Sequence, residues 1–217
     1  MTTERMGQEQ SASAQETIPL SEMRAFFAAL DFAAERHAGQ KRKGAAAEPY
    51  VNHLIDVARI LSTTPIGSDL NLLMAAVLHD TVEDQDVQPA EIEALFGSDV
   101  RELVDAATDD KGILKDERKR RQVVNAPGKS PRASLLKTAD KISNVRAIAS
   151  SPPAGWGVER MSAYIDWGTA VVDGLLDPPK TFSKSSEKAA RDMLRAAFDA
   201  AAADARAAVA KLAGGTS

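Results

Sequence analysis

The sequence predicts an all-α fold, and two features of its apolar residues support this prediction. From residue 21 to residue 212 they recur with the three- and four-residue spacing of amphipathic helices. No stretch alternates apolar and polar residues as a half-buried strand does, and no internal repeat is visible. The chain of 217 residues is 44% hydrophobic and 27% charged, which suits one globular domain with a sizeable core.

The composition argues against several classes of protein. A net charge of −4 is unlike that of a general nucleic-acid binder. Because cysteine is absent, neither a disulfide framework nor a thiolate metal site can form. No apolar run approaches the length of a membrane span, and the polar N-terminus does not resemble a signal peptide. We therefore expect a soluble, cytoplasmic protein that binds neither nucleic acid nor membranes.

The N-terminal third is predicted to contain a tail and two helices. Residues 1–18 are rich in Gln, Ser, Thr and Glu and are expected to be disordered. Ser21 is expected to cap the first helix, whose apolar stripe reaches His37, and we interpret His37 as a hydrogen-bonded structural residue. The second helix is predicted over residues 51–61, with His53 near its start and away from its apolar face. That apolar face consists of Leu54, Ile55, Ala58 and Leu61.

A basic cluster, residues 40–44, separates these two predicted helices. One interpretation is a solvated helix end, where cations are favoured by the helix dipole. The other is an anion-binding corner, since Arg and Lys are the usual phosphate ligands in proteins. The cluster alone leaves both interpretations open.

The next predicted helix, residues 70–78, runs into four ionisable groups: His79, Asp80, Glu83 and Asp84. Charged groups at the end of a buried helix must be paired or bound to a metal. If the helix continues, His79 and Glu83 share one face, as do Asp80 and Asp84. An adjacent His-Asp pair can supply one nitrogen and one oxygen to a divalent cation, although such a dipeptide is more often a capped or salt-bridged pair.

The rest of the chain is predicted to form further helices separated by loops rich in Pro and Gly. Asp69 and Pro89 mark helix starts, and Gly97 marks a helix end. The charged run at residues 117–121 is interpreted as a solvated face without chemistry. The remaining predicted helices cover residues 100–107, 135–145, 158–176 and an Ala-rich segment, 186–212.

Two imidazoles and two carboxylates stand out as a candidate metal site: His53, His79, Asp80 and Asp140. Such a mixed nitrogen and oxygen set suits Mn²⁺, Fe²⁺, Co²⁺ or Zn²⁺ with water completing the coordination. Their order in the chain, with the adjacent His-Asp pair in the middle, resembles that of the HD phosphohydrolase superfamily. Four segments extend the likeness to the hydrolase domain of RelA/SpoT proteins: residues 40–43, 49–53, 75–84 and 137–146.

Two further stretches, residues 108–120 and 155–167, resemble the stand-alone small alarmone hydrolases, a branch that includes the metazoan SpoT homologue. The resemblance spans about residues 24–176 and implies a single HD-domain helical bundle with an additional Ala-rich C-terminal helix. The expected domain boundaries are a tail at 1–18, the HD phosphohydrolase domain at 19–179, and at 180–217 a helix that packs on the domain or extends from it.

The resemblance also implies function: metal-dependent removal of pyrophosphate from the 3′ position of ppGpp or pppGpp, with Mn²⁺ or another divalent metal as cofactor. The metal ligands would be His53, His79, Asp80 and Asp140. Glu83 and Asp84 would organise the attacking water. The substrate would be bound by Arg42, Lys43, Lys111, Asn144, Arg160 and Tyr164.

Two other functions stay open at this point. One keeps the site but changes the substrate to another phosphorylated nucleotide, such as NADPH. The other is a catalytically silent module that binds alarmone, against which the presence of Glu83 and Asp84 argues. Leu54, Thr138 and Ser143 depart from the family's more usual residues without removing a ligand. A homo-oligomer is a further expectation, which the sequence does not decide.

Overall fold

The computed structural model describes residues 18–177 and 182–214, which form a bundle of α-helices. In chain order the helices are α1 (Leu20–Arg36), α2 (Val51–Ser62), α3 (Leu70–Leu78), α4 (Thr81–Asp84), α5 (Pro89–Phe96), α6 (Ser98–Ala107), α7 (Lys115–Asn125), α8 (Pro131–Ser150), α9 (Val158–Leu176) and α10 (Ser185–Gly214). Over these two ranges the only β-type pairings are two isolated bridges, so the predicted all-α class is confirmed. The predicted disordered tail at 1–18 falls almost wholly outside the described residues.

Helix α8 lies at the centre of the bundle. It packs against α2, α6 and α9, and most extensively against α10. Most of its apolar residues are buried, and its polar residues Lys137, Thr138, Lys141 and Ser143 are buried as well. Because helices surround α8, the functional groups that it carries are held among side chains rather than in water.

Several helix ends form as their sequences predict. The Asp69 carboxylate accepts a hydrogen bond of 3.0 Å from Leu72 N and caps α3. Pro89 occupies the first turn of α5, where its missing N–H costs no hydrogen bond. Gly97 ends α5 with a φ of +92°, a conformation that favours glycine.

Two details of the first helices differ from the predictions. Ser21 does not cap α1, because Pro19 precedes the helix in an extended conformation and its carbonyl accepts from Glu22 N and Met23 N. Ile55 was predicted to be buried but is 44% exposed. The buried face of α2 is turned toward α3 and α8, and it includes His53.

The predicted helix over residues 70–78 does not continue through residue 84, because the chain breaks between α3 and α4. His79 Nδ1 lies 2.8 Å from the Ala76 carbonyl, and Thr81 Oγ1 donates to the Leu78 carbonyl at 2.7 Å. These side chains satisfy carbonyl groups that a continuing helix would have bonded to backbone N–H groups. The chain therefore restarts at Thr81, and the acidic residues of α4 lie on a separate turn.

Two loops are joined beside the site end of the bundle. Residues 41–49 fold back on themselves through a bridge between Lys41 and Pro49, and a second bridge links Gly44 to Pro153. Ala154 N donates to the Lys43 carbonyl at 2.9 Å. The basic cluster between α1 and α2 is thereby attached to the loop between α8 and α9.

None of the described helices combines the length and the apolar character that crossing a membrane requires.

Candidate functional site

The four residues of the predicted metal site converge from two helices and the break after α3. His53 comes from α2, Asp140 from α8, and His79 and Asp80 from the break. His53 Nε2 lies 3.2 Å from Asp140 Oδ1 and 3.7 Å from Asp80 Oδ2. His79 Nε2 lies 3.1 Å from Asp80 Oδ2 and 3.8 Å from Asp140 Oδ1. Residues that are far apart in the chain thus present two nitrogens and two oxygens to one small volume.

The geometry of this cluster fits a divalent cation. Ligand atoms of His53, His79 and Asp80 can all lie within 4.8 Å of one another. The Nε2 atoms of both histidines are buried and have no hydrogen-bond partner among the described residues. Orphaned buried nitrogens are rare, because an unpaired buried polar atom costs about 1–3 kcal/mol. A divalent cation held by His53, His79 and the neighbouring carboxylates would satisfy both nitrogens.

The charges within the cluster are strongly coupled. Burial lowers the pKa of His53, so this ring is neutral at pH 7. Burial also disfavours charge on His79, but Asp80 and Asp140 outweigh it and raise the pKa of His79 to about 10. A cation that binds here therefore competes with a proton for His79 Nε2.

The acidic residues of α4 border the cluster but are held by different partners. Glu83 Oε2 accepts from Asp109 N at 3.2 Å, and burial together with the charge of Asp80 raises the pKa of Glu83. Asp84 accepts from Lys111 Nζ at 2.5 Å and from Gln40 Nε2 at 2.8 Å. Both carboxylates therefore reach the site, although they do not share a continuous helix with His79 and Asp80.

A cavity of about 500 Å³ opens beside the cluster. Its walls include Arg42 and Lys43 from the basic cluster and Asn144 from α8. Arg42 Nη1 donates to Asn144 Oδ1 at 3.2 Å, and Asn144 Nδ2 donates to Asp140 Oδ1 at 2.5 Å. The basic corner is thus connected to a metal-site carboxylate through one amide side chain.

A second, smaller cavity of about 210 Å³ lies on the other side of the cluster. Its walls are almost entirely polar and include Lys137, Lys141 and Gln122. Lys43, Tyr50, Asp84 and Asn144 line both cavities. The candidate metal site therefore borders both cavities, with His53 on the larger one and His79, Asp80 and Asp140 on the smaller one.

Of the remaining predicted substrate residues, Tyr164 lines the larger cavity, whereas Arg160 and Lys111 line neither cavity. Trp156 lines the larger cavity as well, and its ring is 5.4 Å from the Tyr164 ring. The Arg160 guanidinium lies 4.3 Å from the Trp156 ring centroid. Lys111 reaches the site through its ion pair with Asp84.

Several residues in or near the site make contacts that the sequence did not predict. The Tyr50 hydroxyl donates to Asp80 Oδ2 at 2.6 Å. His37, predicted to be a hydrogen-bonded structural residue, stacks on Tyr50 with its Nδ1 2.5 Å from Gln40 Oε1. Lys119, from the charged run predicted to be solvated, lies 4.8 Å from the Trp167 ring centroid. Tyr50 and Gln40 belong to segments that resemble the family, which is the signal that could have identified them.

Comparisons with known proteins agree with this geometry. The family described as HD domain matches residues 29–165. Relatives from Mus musculus and Homo sapiens, both named guanosine-3′,5′-bis(diphosphate) 3′-pyrophosphohydrolase MESH1, are 48% identical over 155 residues, which are 71% of this chain and 87% of theirs. The protein of the same name from Drosophila melanogaster is 47% identical over 150 residues, 69% of this chain and 84% of its own.

A solved structure leads to the same family. It is described as a metazoan ortholog of SpoT that hydrolyzes ppGpp and plays a role in starvation responses. The two chains are 40% identical with a TM-score of 0.71, and the match covers 85% of this chain and 97% of the other. Because the family match spans more than half of the sequence and the relatives align over most of their length, this chain belongs to the HD-domain family, among relatives named MESH1.

Proposed function

We propose that this protein is a metal-dependent hydrolase that removes pyrophosphate from the 3′ position of ppGpp or pppGpp, which leaves GDP or GTP. One observation carries the proposal: two buried histidine nitrogens without partners face two carboxylates at the edge of a nucleotide-sized cavity with a basic corner. The proposed reaction is the one named for the MESH1 relatives, which are 48% identical to this chain over 155 residues. The reaction forms a bond from water oxygen to phosphorus and breaks the bond from the 3′ oxygen to phosphorus.

We assign the cation to His53, His79, Asp80 and Asp140, and we propose Mn²⁺. The donor set of imidazole and carboxylate suits Mn²⁺ among the first-row metals, and the cysteine-free chain provides no thiolate to favour a softer ion. When bound, a divalent cation supplies Lewis acidity that favours attack by water and draws charge from the phosphoryl oxygens. The Tyr50 hydroxyl, which donates to Asp80 Oδ2, helps to orient that carboxylate.

We assign substrate binding to the groups around the larger cavity. Arg42 and Lys43 supply positive charge for the phosphates, and Asn144 holds the Arg42 guanidinium. Arg160 and Tyr164 extend this surface beside Trp156. Because these cationic side chains lie close together, a protein with a net charge of −4 can still attract an anionic nucleotide to this surface. Lys111 would contribute through its ion pair with Asp84, so its effect on phosphate binding is coupled to that carboxylate.

We assign proton handling to Glu83 and Asp84. The pKa of Glu83 is raised by burial and by neighbouring carboxylates, which brings it closer to the working range of a general base near neutral pH. Asp84 is held by two donors and is fixed in orientation. One carboxylate can therefore accept a proton from water while the other orients that water.

The test is product analysis with purified protein, Mn²⁺ and ppGpp. We expect GDP and pyrophosphate in equal amounts, and no product that has lost phosphate from the 5′ position. His79→Ala should remove both bound Mn²⁺ and activity. The matched control is His37→Ala, which alters a second buried histidine outside the cluster and should retain the metal.

The alternative substrates give different products in the same assay. NADPH as the preferred substrate would release inorganic phosphate and NADH faster than ppGpp releases pyrophosphate. Tight ppGpp binding without any product would identify a silent alarmone-binding module. Stoichiometric Mn²⁺ in the His79→Ala variant would contradict the ligand assignment.

A further inference from the structure

The backbone N–H of Asp109 contacts Glu83, one of the two residues to which we assign proton handling. Asp109 N donates to Glu83 Oε2 at 3.2 Å, and none of the described residues donates to Glu83 Oε1. Oε1 is therefore the oxygen that can accept a proton from water. A backbone N–H donates in a single direction, so the orientation of the Glu83 carboxylate depends on how firmly Asp109 is held.

Two lysines fix the end of α6, just before Asp109 in the chain. Lys129 Nζ and Lys137 Nζ donate to the last two carbonyls of α6, each at 2.7 Å. The last carbonyls of a helix have no partner within the helix, and cationic side chains can satisfy them. Thr108 is held as well, because its N and Oγ1 both donate to the Val104 carbonyl at 2.9 Å. The chain is thus fixed up to Thr108, which leaves Asp109 to be held by its own side chain.

Gln122 of α7 is hydrogen-bonded to the Asp109 side chain. Gln122 Nε2 donates to Asp109 Oδ2, and Lys137 Nζ of α8 lies 3.8 Å from Asp109 Oδ1. An ionised carboxylate only accepts, so the amide must turn its NH₂ group toward Asp109. Only 19% of the Asp109 side chain is exposed, so water competes weakly for these contacts. Gln122 therefore ties the residue that contacts Glu83 to a separate helix.

Helix α7 is itself held in place, although none of its residues is fully buried and its charged run, residues 117–121, has the composition of a solvated face. Trp167 Nε1 of α9 donates to the Lys119 carbonyl at 3.1 Å. Lys119 Nζ also lies 4.8 Å from the Trp167 ring centroid. Gln122 follows this run directly and lines the smaller cavity, as Glu83 does. The charged helix thus presents an amide group to the side of the site on which Glu83 lies.

We propose that Gln122 is a positioning residue: it holds Asp109 so that the Asp109 N–H fixes the orientation of the Glu83 carboxylate. The geometric half of this proposal concerns only hydrogen bonds within the protein. The catalytic half rests on the proposed function, in which Glu83 handles the proton of the attacking water. Misplacing a group by about 1 Å can lower a rate by about 100-fold, so loss of Gln122 should reduce turnover without removing any assigned ligand of the cation.

The first test is the amide signal of Asp109 in ¹H–¹⁵N NMR spectra of the full-length protein, recorded without Mn²⁺ because its unpaired electrons would broaden nearby signals. We expect Glu83→Gln and Gln122→Met each to move the Asp109 proton signal upfield, since the first weakens its acceptor and the second releases Asp109. The matched control is Arg121→Met, the neighbouring position on α7, where the side chain is 51% exposed and pairs with Glu117. An Asp109 signal that Gln122→Met leaves in place would overturn the geometric half.

The second test is a double-mutant cycle on ppGpp hydrolysis with Mn²⁺. Gln122→Met should lower kcat by about 10- to 100-fold. The KM and the Mn²⁺ affinity should stay at the wild-type level, because Gln122 is hydrogen-bonded to none of the residues assigned to the substrate or the cation. In the Glu83→Gln background the same substitution should have no further effect, since Gln122 acts through Glu83. An equal loss of kcat in both backgrounds would overturn the catalytic half. A wild-type protein that binds Mn²⁺ but does not hydrolyse ppGpp would overturn the proposed function, and the Asp109 signal would still decide the geometric half.

Discussion

Substitutions of Glu83 and Asp84 can distinguish loss of catalysis from loss of metal binding, because each one changes a single side-chain atom. Glu83→Gln and Asp84→Asn remove a basic oxygen while preserving the volume of the side chain. Because neither carboxylate is assigned to the cation, both variants should retain Mn²⁺ while turnover falls by about 100-fold or more. Glu83→Gln should also retain ppGpp affinity, since Glu83 does not pair with Lys111. Metal content, alarmone binding and initial rates should be measured on the same preparations.

The control for this experiment is Asp86→Asn, at an exposed position two residues beyond the end of α4, which should keep the wild-type rate. Wild-type turnover in both site variants would remove the catalytic assignment. Loss of Mn²⁺ together with turnover would instead place the two carboxylates among the groups that coordinate the cation.

The burial of Lys137 should make the free energy of unfolding depend on pH. Its Nζ donates to the Ala107 carbonyl at 2.7 Å, and burial lowers the pKa of Lys137 to about 8. In the unfolded chain the pKa is about 10.4, so between pH 8 and that value the unfolded state binds more protons. The contribution of Lys137 to the free energy of unfolding therefore rises between about pH 8 and about pH 10.4, and it is lowest below about pH 8.

The measurement is the free energy of unfolding of wild type and of Lys137→Met between pH 7 and pH 10. The difference between the two proteins should shift in favour of wild type by about 2–3 kcal/mol as the pH rises. A difference that does not change with pH would show that Lys137 keeps an ordinary pKa in the folded protein.

At the same scale, the sequence predicted the residue types of the site better than their connections. The four residues chosen from the sequence do converge: His53, His79, Asp80 and Asp140. They could be chosen because their order along the chain resembles that of the family. The contact between His53 Nδ1 and Ser143 Oγ could not be predicted in this way, since it depends on how α2 and α8 face each other. Spacing within one helix reveals such contacts only for pairs such as Asp140 and Asn144.

At the scale of elements, helices bounded by strong signals formed as predicted, whereas the break between α3 and α4 was not predicted. α9 covers Val158–Leu176 as expected, since Gly157 precedes it and an apolar stripe runs along it. The break after α3 was not predicted, because it depends on the side chains of His79 and Thr81, which contact backbone carbonyl oxygens at the end of this helix. Periodicity reports the spacing of apolar residues, and it does not detect side chains that compete with the backbone.

Gly44 tests the joint between the two loops. A Cβ added at Gly44 would lie 2.5 Å from the Ser151 carbonyl oxygen and would also overlap the Ser151 side chain. Gly44→Ala should therefore displace the loop that carries Arg42 and Lys43, which raises the KM for ppGpp and costs roughly 1–3 kcal/mol of stability. Metal content should stay at the wild-type level, because no assigned ligand lies on either loop.

The control variant is Gly128→Ala, where an added Cβ meets no atom within 4 Å. It should leave the KM unchanged. A Gly44→Ala enzyme with wild-type KM would mean that the joint between the loops does not position the basic corner.

At the scale of the whole molecule, α8 connects the site to the core. One side of this helix presents Asp140 and Asn144 to the cavities, while α10 packs along another side. The ring of Phe198 from α10 is fully buried, and both Phe198 and Val145 of α8 approach Gly168 of α9. The Ala-rich composition of α10 lets a long helix lie close to α8, because small side chains keep the two backbones near each other.

This packing predicts that α10 stabilises the fold without supplying any group to the site. Phe198→Ala should lower the free energy of unfolding by about 3–5 kcal/mol, because it removes a fully buried aromatic ring and leaves a cavity. Met193→Ala on the same helix, where the side chain is 47% exposed, should change it by about 0.5 kcal/mol or less. Urea unfolding followed by circular dichroism would measure both, and Mn²⁺ affinity at low temperature should match wild type in each. A decrease in the free energy of unfolding of less than about 1 kcal/mol for Phe198→Ala would show that α10 adds little to the stability of the bundle. Loss of Mn²⁺ binding in the folded variant would show instead that α10 positions Asp140 through α8.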